Sequence, residues 1–232
     1  MKNVFGLFCS IFIVIVLFGC AKQDSAPVPN DSIKLQINFY CYSFDAEPTL
    51  DCTKTENDMR VVLVEINKVW KQADIEWIFG SFNKKSINSQ QFDLTGKETT
   101  QQIKSLLGNI APSNAPGQHV WNIVFVRNMP PPVQGAAGLY WAPVQTVYFG
   151  ETKITKKGTI ETQPFVLAHE LGHSLTLAHS NLPTNLMGPG AISADLPILT
   201  NDQIERVRSQ ALKGPANRDD MPSTSPNDPV IE

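Results

Sequence analysis

The sequence predicts an α+β domain, a twisted mixed β-sheet backed by helices. Three observations point there. Runs of β-forming residues with period-two alternation recur along the chain, segments with apolar residues at helical spacing open on capping boxes between them, and one run, Val120–Val126 (VWNIVFV), is apolar on both faces. A strand of that last kind belongs in the middle of a sheet with both faces covered.

Ile33–Tyr42 contains LQINFYCY, whose alternation reads as the first strand. Thr53 and Glu56 form a capping box, and Val62, Ile66, Val69 and Ala73 follow at helical spacing, so a helix is expected through Ala73. Ile75–Phe82 (IEWIFGSF) reads as a second strand, with Trp70 and Trp77 as core, and Asn83–Phe92 as a polar loop. Thr95 and Glu98 make a second capping box for a helix carrying Ile103, Leu106 and Leu107, and Asn109–Gln118, with its prolines and glycines, reads as loop. The apolar strand Val120–Val126 comes next. His119 before it reads as a loop histidine, because its neighbours offer no ligand spacing. Pro130–Pro132 bars regular structure, and the glycine-bearing stretch Gly135–Pro143 belongs at a sheet edge, since proline cannot donate to a ladder on both sides. Gln145–Glu151 reads as the last strand and Lys153–Thr162 as a polar loop or hairpin. Phe165–His179 is an apolar helix that must bury against the sheet, Asn181–Ala194 is too rich in Pro and Gly for regular structure, and Thr200 with Gln203 caps a final helix ending at Gly214.

The ends of the chain read differently from its middle. Lys2 followed by the apolar run Val4–Phe18 reads as a signal peptide over 1–19, the run being short for a membrane span. Its end, Leu17-Phe18-Gly19-Cys20, resembles a bacterial lipobox, which implies cleavage before Cys20 and a lipid on its thiol. Residues 20–31, with two prolines and no periodicity, read as a tether from the membrane surface, and 214–232, rich in Pro, Asp, Asn and Ser, as a disordered tail. The 32–213 stretch between them, about 180 residues, is long enough for one domain with a core. Of the four cysteines, Cys41 and Cys52 remain in that domain. In an exported protein they pair to close a small loop, or stay as two thiols with separate fates. A net charge of -3 with no basic tract excludes nucleic acid as a partner, and the chain is expected to be a monomer. Ala21, where aspartate is absent after Cys20, favours the outer membrane within a bacterial envelope.

Chemistry concentrates in FVLAHELGHSLTLAH, Phe165–His179. His169 and His173 lie four apart, so on a helix their rings leave the same face and can share one cation. Glu170 is placed where a carboxylate can work on a water beside the metal without ligating it. A catalytic zinc takes three protein ligands, and the third is His179 or, from later in the chain, the carboxylate of Asp195 or Glu205.

HELGHSLTLAH resembles the extended zinc signature HExxHxxGxxH of the metzincin metallopeptidases, and Asn185-Leu186-Met187-Gly188 resembles their Met-turn. Ser180 and the run Leu186-Met187-Gly188-Pro189 are most similar to the matrixin branch. The resemblance implies one catalytic Zn2+ on His169, His173 and His179, Glu170 as the proton-transferring base, and Met187 as an apolar floor under the imidazoles. It also implies an edge strand at Ala137, Gly138 and Leu139 that takes an extended protein or peptide substrate as an added strand. Two positions depart from the pattern. Thr176 stands where the signature has the glycine that turns the chain out of the helix, so the backbone is strained there or turns differently, and the tyrosine usual after the matrixin Met-turn is missing from Gly188-Pro189-Gly190. The expected activity is zinc-dependent endopeptidase; the alternative is an inactive zinc-binding or interaction lipoprotein on the same fold.

Overall fold

The computed structural model describes residues 32–45, 47–88, 107–114, 118–130, 136–155, 158–189 and 196–221. The expected signal segment with Cys20, the expected tether up to residue 31, the expected Thr95–Glu98 capping box, Asp195 and residues beyond Met221 lie outside them.

The alternation of the first run holds along β1 (Ile33–Phe44), where Leu35, Ile37 and Phe39 are buried between less buried neighbours. α1 (Glu56–Trp70) follows, but its cap sits two residues later than the sequence suggests. Thr55 is the N-cap, in a capping box with Asp58. Thr53 is unavailable because buried Glu151 takes it: Thr53 N and Oγ1 donate to the two carboxylate oxygens at 2.6 and 2.7 Å. α1 stops at Trp70, and a 3-10 turn over Lys71–Ala73 completes the expected length.

β2 (Ile75–Ile87) runs past Phe82 through residues expected to form a polar loop. Parallel pairing with β1 continues from Tyr40↔Asn83 to Phe44↔Ile87. The ladder supplies the backbone hydrogen bonds, and an outer strand leaves polar side chains in water, so side-chain polarity did not end it.

The remaining strands are β3 (Val120–Asn128), β4 (Gly138–Trp141), β5 (Thr146–Thr155) and β6 (Gly158–Glu161). The sheet order is β2-β1-β3-β5-β4, with β6 paired to β5. β1, β2, β3 and β5 are parallel, while β4 and β6 run antiparallel to β5. The expected edge strand is therefore β4, shorter than Gly135–Pro143 because Ala142–Val144 turns into a 3-10 helix and Gln145 takes φ 51°. Lys153–Thr162 contains the hairpin joining β5 to β6.

α2 (Pro164–Ser174) and α3 (Asn201–Ala211) complete the fold, α3 with the predicted Thr200–Gln203 capping box. Helices α1, α2 and α3 bury one face of the sheet. Trp121, Ile123 and Phe125 of β3 join that core, and Val124 and Val126 join a second apolar cluster on the other face with Tyr42, Phe44 and Tyr148. The central strand is thus buried on both sides, as its composition predicts. Trp70, Trp77 and Trp121 pack edge to face in succession at 5.8 and 5.3 Å between centroids. Each such side chain contributes about 2–3 kcal/mol by burial.

Cys41 and Cys52 are joined by a disulfide that closes the start of the β1–α1 connection. The expected disordered tail does not begin at Gly214. Ala216 is fully buried, its N–H donates to Ser174 O at 2.8 Å, and Asn217 caps a 3-10 turn over Arg218–Asp220. Polar composition misled here because these backbone groups find partners in the core.

Candidate metal centre

Proline at N1 starts α2, at the position where its missing N–H costs nothing. Leu167, Leu171 and Leu175 bury one side of the helix, and β3 pins its end: Trp121 Nε1 donates to Ser174 Oγ at 2.9 Å. The helix ends in a Schellman motif. Leu177 N donates to Gly172 O at 3.0 Å and Thr176 N to His173 O at 2.9 Å, with Thr176 at φ 68°. Thr176 thus adopts the left-handed turn that the signature assigns to glycine, and the chain comes round to bring His179 back to the helix.

The three imidazoles meet. Their ring centroids lie 4.7 Å (His169–His173), 5.5 Å (His169–His179) and 4.8 Å (His173–His179) apart. Nδ1 of His169 is 2.7 Å from Leu186 O, and Nδ1 of His173 is 2.8 Å from Leu177 O. A carbonyl oxygen only accepts, so each Nδ1 is the donor and each ring turns its Nε2 inward. Those two Nε2 atoms are 3.0 Å apart. Two ring nitrogens at that distance share either a proton or a metal cation. A proton is disfavoured, because burial, and then His169 beside it, hold the His173 imidazole well below its ordinary basicity.

This is a donor set arranged for one cation. The ligand atoms of His169, His173 and His179 all lie within 4.8 Å of one another, and a tetrahedral zinc with Zn–N near 2.05 Å needs nitrogens roughly 3.3 Å apart. His169 and His173 are buried and His179 is exposed, so the cluster opens toward solvent on the His179 side.

No protein-family model and no curated protein sequence matches the chain. Among solved structures, it is similar to an archaemetzincin from Methanopyrus kandleri (12% identity, TM-score 0.45, 81% of this chain and 99% of that one). It is also similar to metalloproteinase-II from Bacteroides fragilis (14% identity, TM-score 0.45, 77% of this chain, 53% of that one). A third likeness is to a chain from a chaperone–substrate complex (15% identity, TM-score 0.46, 79% of this chain, 34% of that one). The chain therefore spans about half or less of the last two. At these values nothing chemical follows from the likenesses, and the imidazole geometry stands alone.

Glu170 is fully buried next to the first histidine. Gly138, the first residue of edge strand β4, lies against it: a Cβ at Gly138 would sit 2.7 Å from Glu170 Cγ and 3.0 Å from its Oε1. Gly138 thus leaves room for the carboxylate. Ala137 and Leu139 flank it, both buried, and Leu139 packs into the second apolar cluster on the far face of the sheet. Alternation along β4 sends its side chain to the face opposite Gly138 and Glu170.

Met187 is fully buried under α2, where a Cβ at Gly172 would come 2.6 Å from its sulfur. It packs against the helix at Gly172, which lies between the two histidines in sequence. Gly188 is needed for a different reason, since a Cβ there would lie 1.9 Å from Leu182 O. Of the rival third ligands, Glu205 is exposed on α3 outside the cluster, and Asp195 is not among the described residues. The His119 ring lies near Gly214, away from the cluster, as a loop histidine should.

Sequence reading missed the contact between Asn185 of the Met-turn-like run and Gln203, whose side-chain amides bond to each other across 18 residues. Gln203 was visible only as a helix cap. Nothing in spacing marks a contact between a turn and the first turn of a later helix.

Proposed function

We propose that this chain is a zinc-dependent endopeptidase of the metzincin type, closest to the matrixin-like branch, tethered to the bacterial outer membrane by a lipid on Cys20. One observation carries the reading: two imidazoles whose Nδ1 atoms each face a backbone carbonyl bring their Nε2 atoms to 3.0 Å, with His179 closing the triad. His169, His173 and His179 hold the zinc. When bound, zinc supplies Lewis-acid polarisation of a carbonyl and lowers the pKa of a water. Three protein ligands with a solvent-facing side fit a catalytic site, which keeps a position open, better than a structural one.

The chain's own groups do the rest. Leu186 O and Leu177 O lock the tautomer and orientation of two rings, which keeps the ligand nitrogens in place. The Glu170 carboxylate takes a proton from the attacking water and delivers it to the leaving amine nitrogen. Edge strand β4 offers backbone groups for a substrate strand laid beside it, with a group near Ala137 or Gly138 for the oxyanion. The zinc helix resting on β3 through Trp121 and Ser174 keeps this constellation on rigid elements.

The test is made on the purified chain in detergent beside its Glu170→Ala variant, measuring zinc content and cleavage of casein with and without a chelator. Chelator-sensitive cleavage that falls by about 10²–10⁴-fold in a variant still holding zinc is expected for loss of a general base. Equal cleavage by both proteins removes Glu170 from the mechanism. Stoichiometric zinc with no cleavage by either protein selects the zinc-binding, non-peptidase alternative.

A further inference from the structure

We propose that Asn185 and Gln203 are positioning residues for the metal ligand His169, acting through one peptide group of the Met-turn. This rests on reading the triad as a zinc site. The peptide that joins Leu186 to Met187 is gripped at both ends. Its carbonyl, Leu186 O, takes the His169 Nδ1 proton at 2.7 Å, and its N–H, on Met187, donates to Asn185 Oδ1 at 3.0 Å. A peptide group is planar and trans, so holding its N–H fixes where its carbonyl points. The Asn185 side chain therefore sets the aim of the oxygen that orients the imidazole.

Asn185 is itself oriented by Gln203. Asn185 Nδ2 donates to Gln203 Oε1 at 2.8 Å, and Gln203 Nε2 donates back to Asn185 Oδ1 at 3.0 Å. The orientation of both amides is determined: Asn185 Oδ1 must face the Met187 N–H, and Gln203 Oε1 must face the Thr200 N–H, which donates to it at 2.9 Å. Turning either amide over would set donors against donors. Asn185 is fully buried, so no water replaces a lost partner. The chain of bonds thus runs from the capping box of α3 through two amides and one peptide to a zinc ligand. Leu186 N, bonded to Ile198 O at 2.8 Å, steadies the neighbouring peptide.

A residue that merely staples the loop would lower stability without touching the metal. Thr200→Ala provides that comparison, because it removes the Thr200 side-chain bond to Gln203 N at the helix cap while leaving the amide pair intact. The experiment uses the full chain in detergent and measures zinc affinity by competition with a chelating dye. The visible spectrum of the cobalt(II)-loaded protein and thermal unfolding of the metal-free protein are recorded alongside. Asn185→Ala and Gln203→Ala are expected to weaken zinc binding by about 10- to 100-fold and to shift the cobalt bands. The double variant should be no worse than Asn185→Ala alone, since both act on one bond chain. Thr200→Ala should unfold at a lower temperature with zinc affinity and cobalt spectrum unchanged. Gln203→Glu keeps the cap acceptor and loses the donor to Asn185; it should fall between parent and Gln203→Ala, and it decides the matter if the alanine variants fail to fold. Parental zinc affinity in the folded Asn185 and Gln203 variants overturns the proposal while leaving the zinc site standing. A parent chain that binds no zinc overturns the site and this inference together.

Discussion

Thr176 carries a conformation that a β-branched residue adopts at a cost. At φ 68° its Cβ crowds the backbone, a strain of roughly 1–2 kcal/mol. It is held there by the Schellman bonds on either side and by its own hydroxyl, which donates to Leu175 O at 2.6 Å. Thr176→Gly relieves the strain but gives up that bond, so a net gain of about 0.5–1 kcal/mol is expected, read as a raised unfolding midpoint with zinc content unchanged. A lowered midpoint would show that the hydroxyl bond outweighs the strain. His173 supplies a second residue-level test. Burial, and next to it His169, depress its folded pKa below the ordinary 6.5. The unfolded chain then binds a proton that the folded, metal-free chain refuses. Stability of the metal-free protein is full above the unfolded value and falls as pH drops below about 6.5 toward the folded value. Thermal unfolding of chelator-treated protein across that window measures it, and a midpoint independent of pH there contradicts the buried, neutral ring.

Among the elements, α2 and β4 define the site together. Helix α2 brings His169, Glu170 and His173 on one turn, and β4 presents a glycine where any side chain would strike the Glu170 side chain. Gly138→Ala should displace the carboxylate with zinc still bound. Cleavage is expected to drop on the order of 10²-fold, as for a catalytic group moved by about 1 Å, while zinc content by metal analysis stays at the parental level. Unchanged cleavage would mean that Glu170 works from elsewhere. Most of α2 was legible in the sequence, because ligand spacing and helical periodicity both act over a few neighbouring residues. Gly138 was legible only through family resemblance, and its partner is a helix 32 residues on. The first capping box was misplaced for the same kind of reason: Thr53 is captured by Glu151, nearly a hundred positions away, which no local pattern reveals.

At the scale of the whole molecule, the sheet is a platform for a site assembled at one edge. The apolar, doubly buried β3 and the alternating β1 announced an α+β fold with a central strand, while the order β2-β1-β3-β5-β4 came from long-range pairing. The final segment belongs to this assembly as well. Tyr140 of β4 donates its hydroxyl to Ala216 O, and the Ala216 N–H bonds to Ser174 O at the end of α2, so residues past the last helix tie edge strand to α2. These ties anchor the end of α2 from which the chain turns back to bring His179 beside His169 and His173.

Zinc K-edge absorption on the full chain purified in detergent, together with zinc content per chain, tests that convergence most directly. One zinc per chain with three imidazole nitrogens at about 2.0–2.1 Å and one oxygen neighbour from water is the expected result, with the imidazole count falling to two in His179→Ala. A chain that binds no zinc, or a zinc shell with two imidazoles and a carboxylate in the parent protein, would contradict the account.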